Sequence, residues 1–208
     1  MPAWLNDRTL YHNRGNSTFA GESSEYGDFF GLDDLFTEHY VVVDGMIDIY
    51  QDWITDLGID GYRVDTVKHV NMEFWREWVP AVMGHAASQG DDDFFIFGEV
   101  FDSNASFMSE YTTDPDFPAV LDFGFQAVVP NFAANGSPTN NLRDFFAADD
   151  YFTDEDSNAY QLPVFLGNHD IGPVGLTIQS ANPGAPDSER VAPSNLRHAL
   201  LHFARGVP

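Results

Sequence analysis

The chain has 208 residues, of which 43% are hydrophobic and 15% aromatic, and this is enough apolar material to form a folded core. It carries 33 Asp and Glu against 9 Lys and Arg, a formal net charge of -24. Nucleic-acid binding is excluded because no basic patch can neutralise phosphates. Cysteine is absent, which also excludes disulfides, thiolate nucleophiles and thiolate metal sites.

No run of apolar residues is long enough to cross a membrane. The first residues also lack the basic and apolar regions of a signal peptide. We therefore expect no membrane partner and no export signal in this chain. The location of the parent protein, secreted or cytoplasmic, stays open at this stage.

The excess of acidic residues has two interpretations. Runs such as Asp91, Asp92 and Asp93 are typical of a solvated, self-repelling surface. Lys68 is the only lysine, and a surface so dominated by carboxylates also fits a high-salt source, where screening weakens their mutual repulsion. The high-salt source is the hypothesis that we adopt.

Residues 1–40 are rich in Gly, Asn, Ser and aromatic residues and are predicted to be an irregular segment with several turns. An irregular stretch of this length is usually functional or a linker. Helical spacing of apolar residues begins after it and predicts an amphipathic helix over 41–57, with Gly58 as its C-terminal stop.

A strand that ends on Asp65 is predicted next, followed by a second helix that Asn71 caps and that ends before Gly90. We interpret the aromatic stripe of this helix as core. The following predicted elements are a strand over 94–97, a short helical piece over 105–110, a strand over 119–123, a helix over 142–148, an acidic surface loop over 149–158 and a strand over 162–166.

The last part of the chain is predicted to contain a turn-rich segment over 182–193 and then a helix. This helix is expected to begin at Ser194 or Asn195. Its inward face is predicted to carry Leu196, Leu200 and Phe203.

Alternating strands and helices favour βαβ units in a parallel sheet. Acidic residues at the C-terminal ends of several strands favour a (β/α)8 TIM barrel over a doubly wound sheet, because the catalytic residues of barrels come from those ends. A complete barrel takes ~250 residues. The expected fold is therefore α/β, an incomplete (β/α)8 barrel.

Asp65 and Glu99 are candidate catalytic acids, because each follows a predicted strand and two carboxyl groups that flank a scissile bond are what glycoside hydrolysis requires. Arg63 lies two residues before Asp65 on the same strand face and favours its ionised form, which suits a nucleophile. Glu99 follows an apolar run that can raise its pKa into the range of a general acid. The alternative, for either stretch alone, is an ordinary ion pair at Asp65 and an exposed strand end at Glu99.

Asn168, His169 and Asp170 add an imidazole and a third carboxylate after the strand predicted over 162–166. These groups are able to hold sugar hydroxyls in a distorted transition state. A lone histidine is more often structural, but a histidine beside an acid at the end of a barrel strand favours a functional role.

These stretches resemble a known family. Residues 61–69 (Gly-Tyr-Arg-Val-Asp-Thr-Val-Lys-His), 97–100 (Phe-Gly-Glu-Val) and 165–170 (Phe-Leu-Gly-Asn-His-Asp) are similar to three of the four sequence regions of the alpha-amylase family, glycoside hydrolase family 13, in the same order. Residues 31–35 (Gly-Leu-Asp-Asp-Leu) resemble a further short motif near the end of that family's inserted B domain.

The resemblance implies a retaining hydrolase of alpha-1,4-glucans, such as starch and maltodextrins, that acts by double displacement. Asp65 would be the nucleophile, Glu99 the acid and then the base, and Asp170 the stabiliser of the transition state. Arg63 would position Asp65. The resemblance also implies that residues 1–40 are the end of a B-domain-like loop region. Residues 41–208 would then be a partial barrel that contains roughly the fourth to seventh strands of the complete one.

Further binding residues follow from the same resemblance. His169 and Asn168 would bind the sugar in the cleavage subsite, and Lys68 and His69 would line the acceptor subsites. The backbone carbonyl of His69 can also bind a structural calcium in this family. No organic cofactor is expected.

Some features depart from the family pattern. The first of its four regions is missing, and Pro173 stands where relatives often have an arginine. We therefore expect the chain alone to be inactive or poorly folded, since a half-barrel leaves strand edges and apolar faces uncovered. The alternatives are a transglycosylase similar to cyclodextrin glucanotransferase and a non-catalytic glucan-binding relative.

The high-salt hypothesis predicts that molar sodium chloride raises the melting temperature of the chain, because screening reduces repulsion among the carboxylates. Thermal unfolding with and without salt measures this effect. A melting temperature that does not change with salt would contradict the hypothesis.

Overall fold

A computed structural model describes residues 2–208, which form an α/β fold. The strands are β1 (Gly61–Val64), β2 (Phe95–Gly98) and β3 (Ala119–Val120). The helices are α1 (Ser23–Tyr26), α2 (Tyr40–Leu57), α3 (Met72–Ser88), α4 (Ala105–Met108), α5 (Glu110–Thr113), α6 (Phe123–Asn135), α7 (Thr139–Ala147), α8 (Val174–Ala181) and α9 (Asp187–Phe203). Short 3-10 turns cover Ala3–Asn6, Arg8–Leu10, Val67–His69 and Ala148–Phe152.

The chain divides into two compact units. The first unit comprises the residues up to Glu99 together with Asp114–Phe117, and the second comprises Val100–Thr113 and Pro118–Pro208. Among residues 2–208, no helix is both long and apolar enough to cross a membrane.

Parallel pairing of β1 with β2 forms the sheet of the first unit. The register pairs Gly61 with Phe95 and Val64 with Gly98. A Cβ atom at Gly61 would lie 2.1 Å from the carbonyl oxygen of Phe95, so only glycine allows the two backbones to approach this closely. The two strands predicted in this part of the chain are confirmed, with slightly shifted bounds.

Helices α2 and α3 pack against each other beside this sheet. Helix α2 ends at Gly58, which has a left-handed φ of 59°, as the sequence predicts. The aromatic stripe of α3 is confirmed as core, because its long apolar side chains are almost completely buried. They are Phe74, Trp75, Trp78, Val79 and Val82.

Asn71 precedes α3 as predicted, but its side chain does not cap the helix. The side-chain amide of Asn71 instead donates to Glu73 at 3.4 Å, and its Oδ1 is buried without a hydrogen-bond partner in the described chain. The prediction of a side-chain cap at Asn71 is therefore wrong, although the helix begins where expected.

Helix α6 is absent from the sequence prediction, which has only a strand over 119–123 in this region. Asp122 caps α6, because its carboxylate accepts the backbone N–H of Phe125 at 2.8 Å. Gly136, at a φ of 65°, follows its last turn. Pro130 lies inside the helix and removes one of its hydrogen bonds, which hides the helix from an analysis of propensity.

The strand predicted over 162–166 is wrong in extent. Only two isolated parallel bridges form there, Pro163 with Val207 and Val164 with Asp122. The segment at Val164 therefore lies between the residues that follow β3 and the segment at Val207, and it is parallel to both. Parallel pairing thus also organises the second unit.

Helix α9 corrects the prediction for the last part of the chain. It begins at Asp187, and Pro193 lies inside it, whereas the sequence predicts turns up to residue 193. Phe203 is 88% exposed rather than inward, and the fully buried side chain of this helix is Arg197. Arg197 donates to the backbone carbonyls of Val174 and Pro130, which ties α9 to α8 and α6. Leu196, also predicted to face inward, is exposed.

A buried ion-pair network stabilises the second unit. Arg205 donates to Asp122 and to both carboxylate oxygens of Asp149, at 2.7 to 2.9 Å for Asp149. Its guanidinium also lies 4.8 Å from the ring centroid of Phe145, a cation–π contact. Asp149, predicted to be part of a solvated acidic loop, is therefore an internal partner of Arg205.

We expect the substitution Arg205→Met to lower the free energy of unfolding by about 3 to 5 kcal/mol, because Asp122 then becomes a buried charge without an ionic partner. Urea unfolding at pH 7 measures the change. The matched control is Arg143→Met, which removes the exposed pair with Asp144 and should cost less than about 1 kcal/mol. Equal losses in the two variants would contradict this account of the network.

Candidate active site

The parallel register of β1 and β2 brings Asp65 and Glu99 together. Each follows the last residue of its strand, and those last residues, Val64 and Gly98, are partners in the sheet. The backbone hydrogen bonds continue past the strands, from the N–H of Glu99 to the carbonyl of Val64 at 2.7 Å and from the N–H of Val67 to the carbonyl of Glu99 at 3.1 Å. Both carboxyl groups therefore extend from a fixed backbone.

The two carboxyl groups differ in exposure. The side chain of Asp65 is 65% exposed, whereas that of Glu99 is 6% exposed. Arg63 lies between them, with its Nη2 atom 3.1 Å from Glu99 Oε2 and 3.6 Å from Asp65 Oδ1. Arg63 was predicted to position Asp65, and it lies near that residue, but its shorter contact is with Glu99.

Burial raises the pKa of Glu99 from its ordinary value of 4.5 to about 7. A hydrogen bond shared with Asp65 contributes to this rise, because the protonated carboxyl donates it, while the nearby charge of Arg63 opposes the shift. Near neutral pH Glu99 can hold a proton, while Asp65 faces solvent. This is the chemical asymmetry that an acid and a nucleophile require.

A tight turn after β1 supports the pair. Thr66 adopts a left-handed conformation with a φ of 52°, uncommon for a β-branched residue, and its N–H lies 3.5 Å from Glu99 Oε2. The indole N–H of Trp75 donates to the carbonyl of Val67 at 3.0 Å from a buried position. The core of α3 thus holds the backbone that faces Glu99.

Lys68 and His69 lie on the 3-10 turn Val67–His69. The Nδ1 atom of His69 lies 3.0 Å from both the hydroxyl and the carbonyl oxygen of Ser24, and its ring meets Phe29 edge-on at 5.0 Å. Burial lowers the pKa of His69, so its neutral form is favoured. His69 therefore anchors the turn to the irregular segment of the first unit.

The predicted calcium contact involves only the carbonyl of His69. Calcium takes six to eight oxygen ligands. Among residues 2–208, no group of three or more His, Asp or Glu side chains is arranged to hold a metal ion. Among the described residues, no cluster of carboxylates therefore adds to the His69 carbonyl.

Asn168, His169 and Asp170 lie in the second unit, on a closed turn. Asn168 Oδ1 accepts the backbone N–H groups of Asp170 and Ile171 at 3.1 and 2.9 Å, and its own carbonyl accepts the N–H of Gly172 at 2.8 Å. His169 Nε2 lies 3.3 Å from Asp170 Oδ2, and both side chains are largely exposed. Asn168, predicted to bind substrate, orients the backbone of Asp170 through this oxygen.

Sequence analysis did not identify Thr66, Trp75 or Ser24 as parts of the site. Trp75 was interpreted as core, which is correct, but its indole N–H has a second role that periodicity does not indicate. Ser24 comes from the irregular segment, where no sequence pattern predicts a contact 45 residues away with His69.

Comparison with known proteins adds independent evidence. A family model described as alpha amylase, catalytic domain, matches residues 5–208. An alpha-amylase of Streptomyces lividans is 47% identical over 208 residues, which cover 100% of this chain and 23% of that protein. A cyclomaltodextrin glucanotransferase of Klebsiella oxytoca is 28% identical over 185 residues, 82% of this chain and 27% of that protein.

Solved structures agree with these sequence matches. The crystal structure of an Anoxybacillus alpha-amylase superposes with a TM-score of 0.84 at 29% identity, covering 100% of this chain and 44% of that one. The chain thus spans about a quarter of the length of the curated relatives and under half of this solved structure.

The raised pKa of Glu99 predicts a specific pH dependence of stability. Between pH 4.5 and about 7, Glu99 is protonated in the folded state and ionised in the unfolded state. Its contribution to stability is therefore fully present below pH 4.5 and is lost as the pH rises through 7. Glu99→Gln has no carboxyl group to ionise and so avoids this loss. As the pH rises from 4.5 to above 7, the free energy of unfolding of the variant should therefore increase by on the order of 3 kcal/mol relative to that of the original chain.

Urea unfolding of both proteins at several pH values measures the gain. The control Glu110→Gln makes the same substitution at an exposed glutamate. A constant difference for Glu99→Gln would show that Glu99 titrates normally.

Proposed function

The chain belongs to the alpha-amylase family, and on that premise we propose that it carries catalytic residues of a retaining glycoside hydrolase that acts on alpha-1,4-glucans. The relatives named alpha-amylase support hydrolysis of these glucans by the parent protein. We place the strands as roughly the fourth to seventh of an incomplete (β/α)8 barrel, preceded in residues 1–40 by the end of a B-domain-like region.

The unequal environment of Asp65 and Glu99 is the observation that carries the proposal. Asp65 is exposed and beside Arg63, so it is available to attack the anomeric carbon and form the glycosyl-enzyme. Glu99 is buried, with its pKa raised to about 7, so it can donate a proton to the leaving oxygen and later accept one from water.

The hydrogen bond between the two carboxyl groups supports retention over inversion. Inverting enzymes separate their carboxyl groups by roughly 6.5 to 9.5 Å to leave room for a water molecule. A pair that exchanges a hydrogen bond without substrate is much closer than this, which favours direct attack by Asp65.

The remaining residues keep the roles that the family resemblance implies. Asp170 is the proposed transition-state stabiliser, and the turn closed by Asn168 fixes its backbone. His169 is exposed beside it and is able to hydrogen-bond a sugar hydroxyl. Lys68 and His69 are proposed to line acceptor subsites. A calcium ion bound through the carbonyl of His69 is proposed to contribute structural stability and would need further oxygen ligands beside this carbonyl.

A transglycosylase is the second candidate function, because the Klebsiella oxytoca relative is a cyclomaltodextrin glucanotransferase. Both reactions share the same glycosyl-enzyme and differ in whether water or a sugar hydroxyl attacks it. Chromatography of the products distinguishes them, since transfer forms new glycosidic bonds and hydrolysis releases reducing ends. A non-catalytic glucan-binding protein is disfavoured because Asp65, Glu99 and Asp170 are all present.

A chimera tests the proposed chemistry in a complete scaffold. Residues 5–208 replace the matching segment of the Streptomyces lividans alpha-amylase, which is 47% identical over this region. We expect the chimera to release reducing sugar from soluble starch. In the chimera, Asp65→Asn should reduce turnover to background, and Glu99→Gln should reduce kcat by about 10²- to 10⁴-fold. The chain alone is expected to show little turnover.

The control variant is Asp60→Asn, an exposed carboxylate at the other end of β1, which should leave turnover unchanged. Circular dichroism confirms that each variant is folded. A folded, active chimera that keeps its turnover after Asp65→Asn would overturn the assignment of the nucleophile. Starch hydrolysis by the chain alone, abolished by Asp65→Asn, would overturn the expectation that the chain is inactive.

A further inference from the structure

The second unit contains a cavity of about 420 Å³ that the proposed reaction does not use. Residues of α4, α6 and α7 line it, together with the turn Ala148–Phe152. Its volume falls within the range of roughly 300 to 1,000 Å³ that is typical of small-molecule sites.

The ion-pair network of Arg205 forms a charged part of the cavity lining. Arg205, Asp122 and Asp149 all border the cavity, and each is engaged in the ion pairs of that network. These residues therefore offer a bound molecule a rigid surface in which one guanidinium faces two carboxylates.

Apolar and aromatic side chains form another part of the lining. Met108 and Phe152 are buried, and Phe145 is partly buried. Tyr151 is different, because it is 58% exposed and borders the same cavity. An exposed ring beside a cavity offers a flat face to an equally flat apolar surface, such as the C–H face of a pyranose ring.

Polar groups along the cavity are available to a ligand. Asn104 accepts the N–H of Ser106 through Oδ1, which leaves its side-chain N–H groups to donate. Asp144 receives both Arg143 bonds on Oδ1, which leaves Oδ2 to accept. The side chain of Asn141 also borders the cavity and offers both a donor and an acceptor.

We propose that this cavity is a second binding site, separate from the catalytic residues, for a neutral oligosaccharide with flat apolar faces and many hydroxyls. The identity of that sugar as an alpha-glucan rests on the proposed function. An anionic ligand is disfavoured by the net charge of -24. A metal ion is disfavoured because no group of three or more His, Asp or Glu side chains among residues 2–208 is arranged to hold one. A second site of this kind holds polymeric substrate on the protein and raises its effective concentration.

Titration of the ¹⁵N-labelled chain with maltotriose, followed by NMR, tests the proposal. We expect saturable shifts of the amide signals of Asn104, Asn141 and Tyr151. Tyr151→Ala should weaken the apparent affinity at this site at least fivefold, and Asn141→Ala, which changes an exposed side chain, should weaken it about threefold. The matched control Tyr40→Ala removes a tyrosine that is 71% exposed in the first unit and should change nothing at the cavity.

The same spectra separate this proposal from the proposed function. Signals from Arg63 to His69 report binding at the catalytic residues separately, and the proposed function itself is decided by the starch assay of the chimera. Cavity signals that do not move at saturating maltotriose, or that move equally in Tyr151→Ala, overturn the second site. Shifts with calcium chloride but not with maltotriose also overturn it and assign the cavity to a cation.

Discussion

The close parallel pairing of β1 with β2 is the constraint on which the site depends. Gly61 lets the two backbones approach, and the register that follows places Asp65 and Glu99 at adjacent positions beyond the paired ends. A slip of one residue would send every side chain of a strand to the opposite face. The positions of Arg63 and of the turn after Asp65 follow from the same register.

The difference in burial gives the carboxyl groups of Asp65 and Glu99 different chemical properties. The segment after β1 covers Glu99 with backbone and leaves Asp65 toward solvent, and Trp75 holds that segment from the core. The asymmetry is therefore a property of the packing of α3 as much as of the acids themselves. Two buried carboxylates, Glu99 and Asp122, lie against the guanidinium groups of Arg63 and Arg205.

Periodicity was sufficient to predict α2, α3 and the parallel strands, since long amphipathic helices and short apolar runs have distinct patterns. It failed at α6 and α9, where Pro130 and Pro193 lie inside helices that tertiary packing maintains. The placement of Asp65 and Glu99 at strand ends was predictable from the apolar runs before them. The contacts of Arg63 with Glu99 and of His69 with Ser24 were not, because they depend on how loops fold over the strands.

The single lysine has a consequence for labelling chemistry. Lys68 lies on the short turn three residues beyond Asp65, and the α-amino group, whose pKa is lower by about 2.5 units, is the other amine that a reagent must be steered away from. A fluorophore or crosslinker coupled to the lysine side chain would therefore sit at one defined place, next to the proposed acceptor subsites.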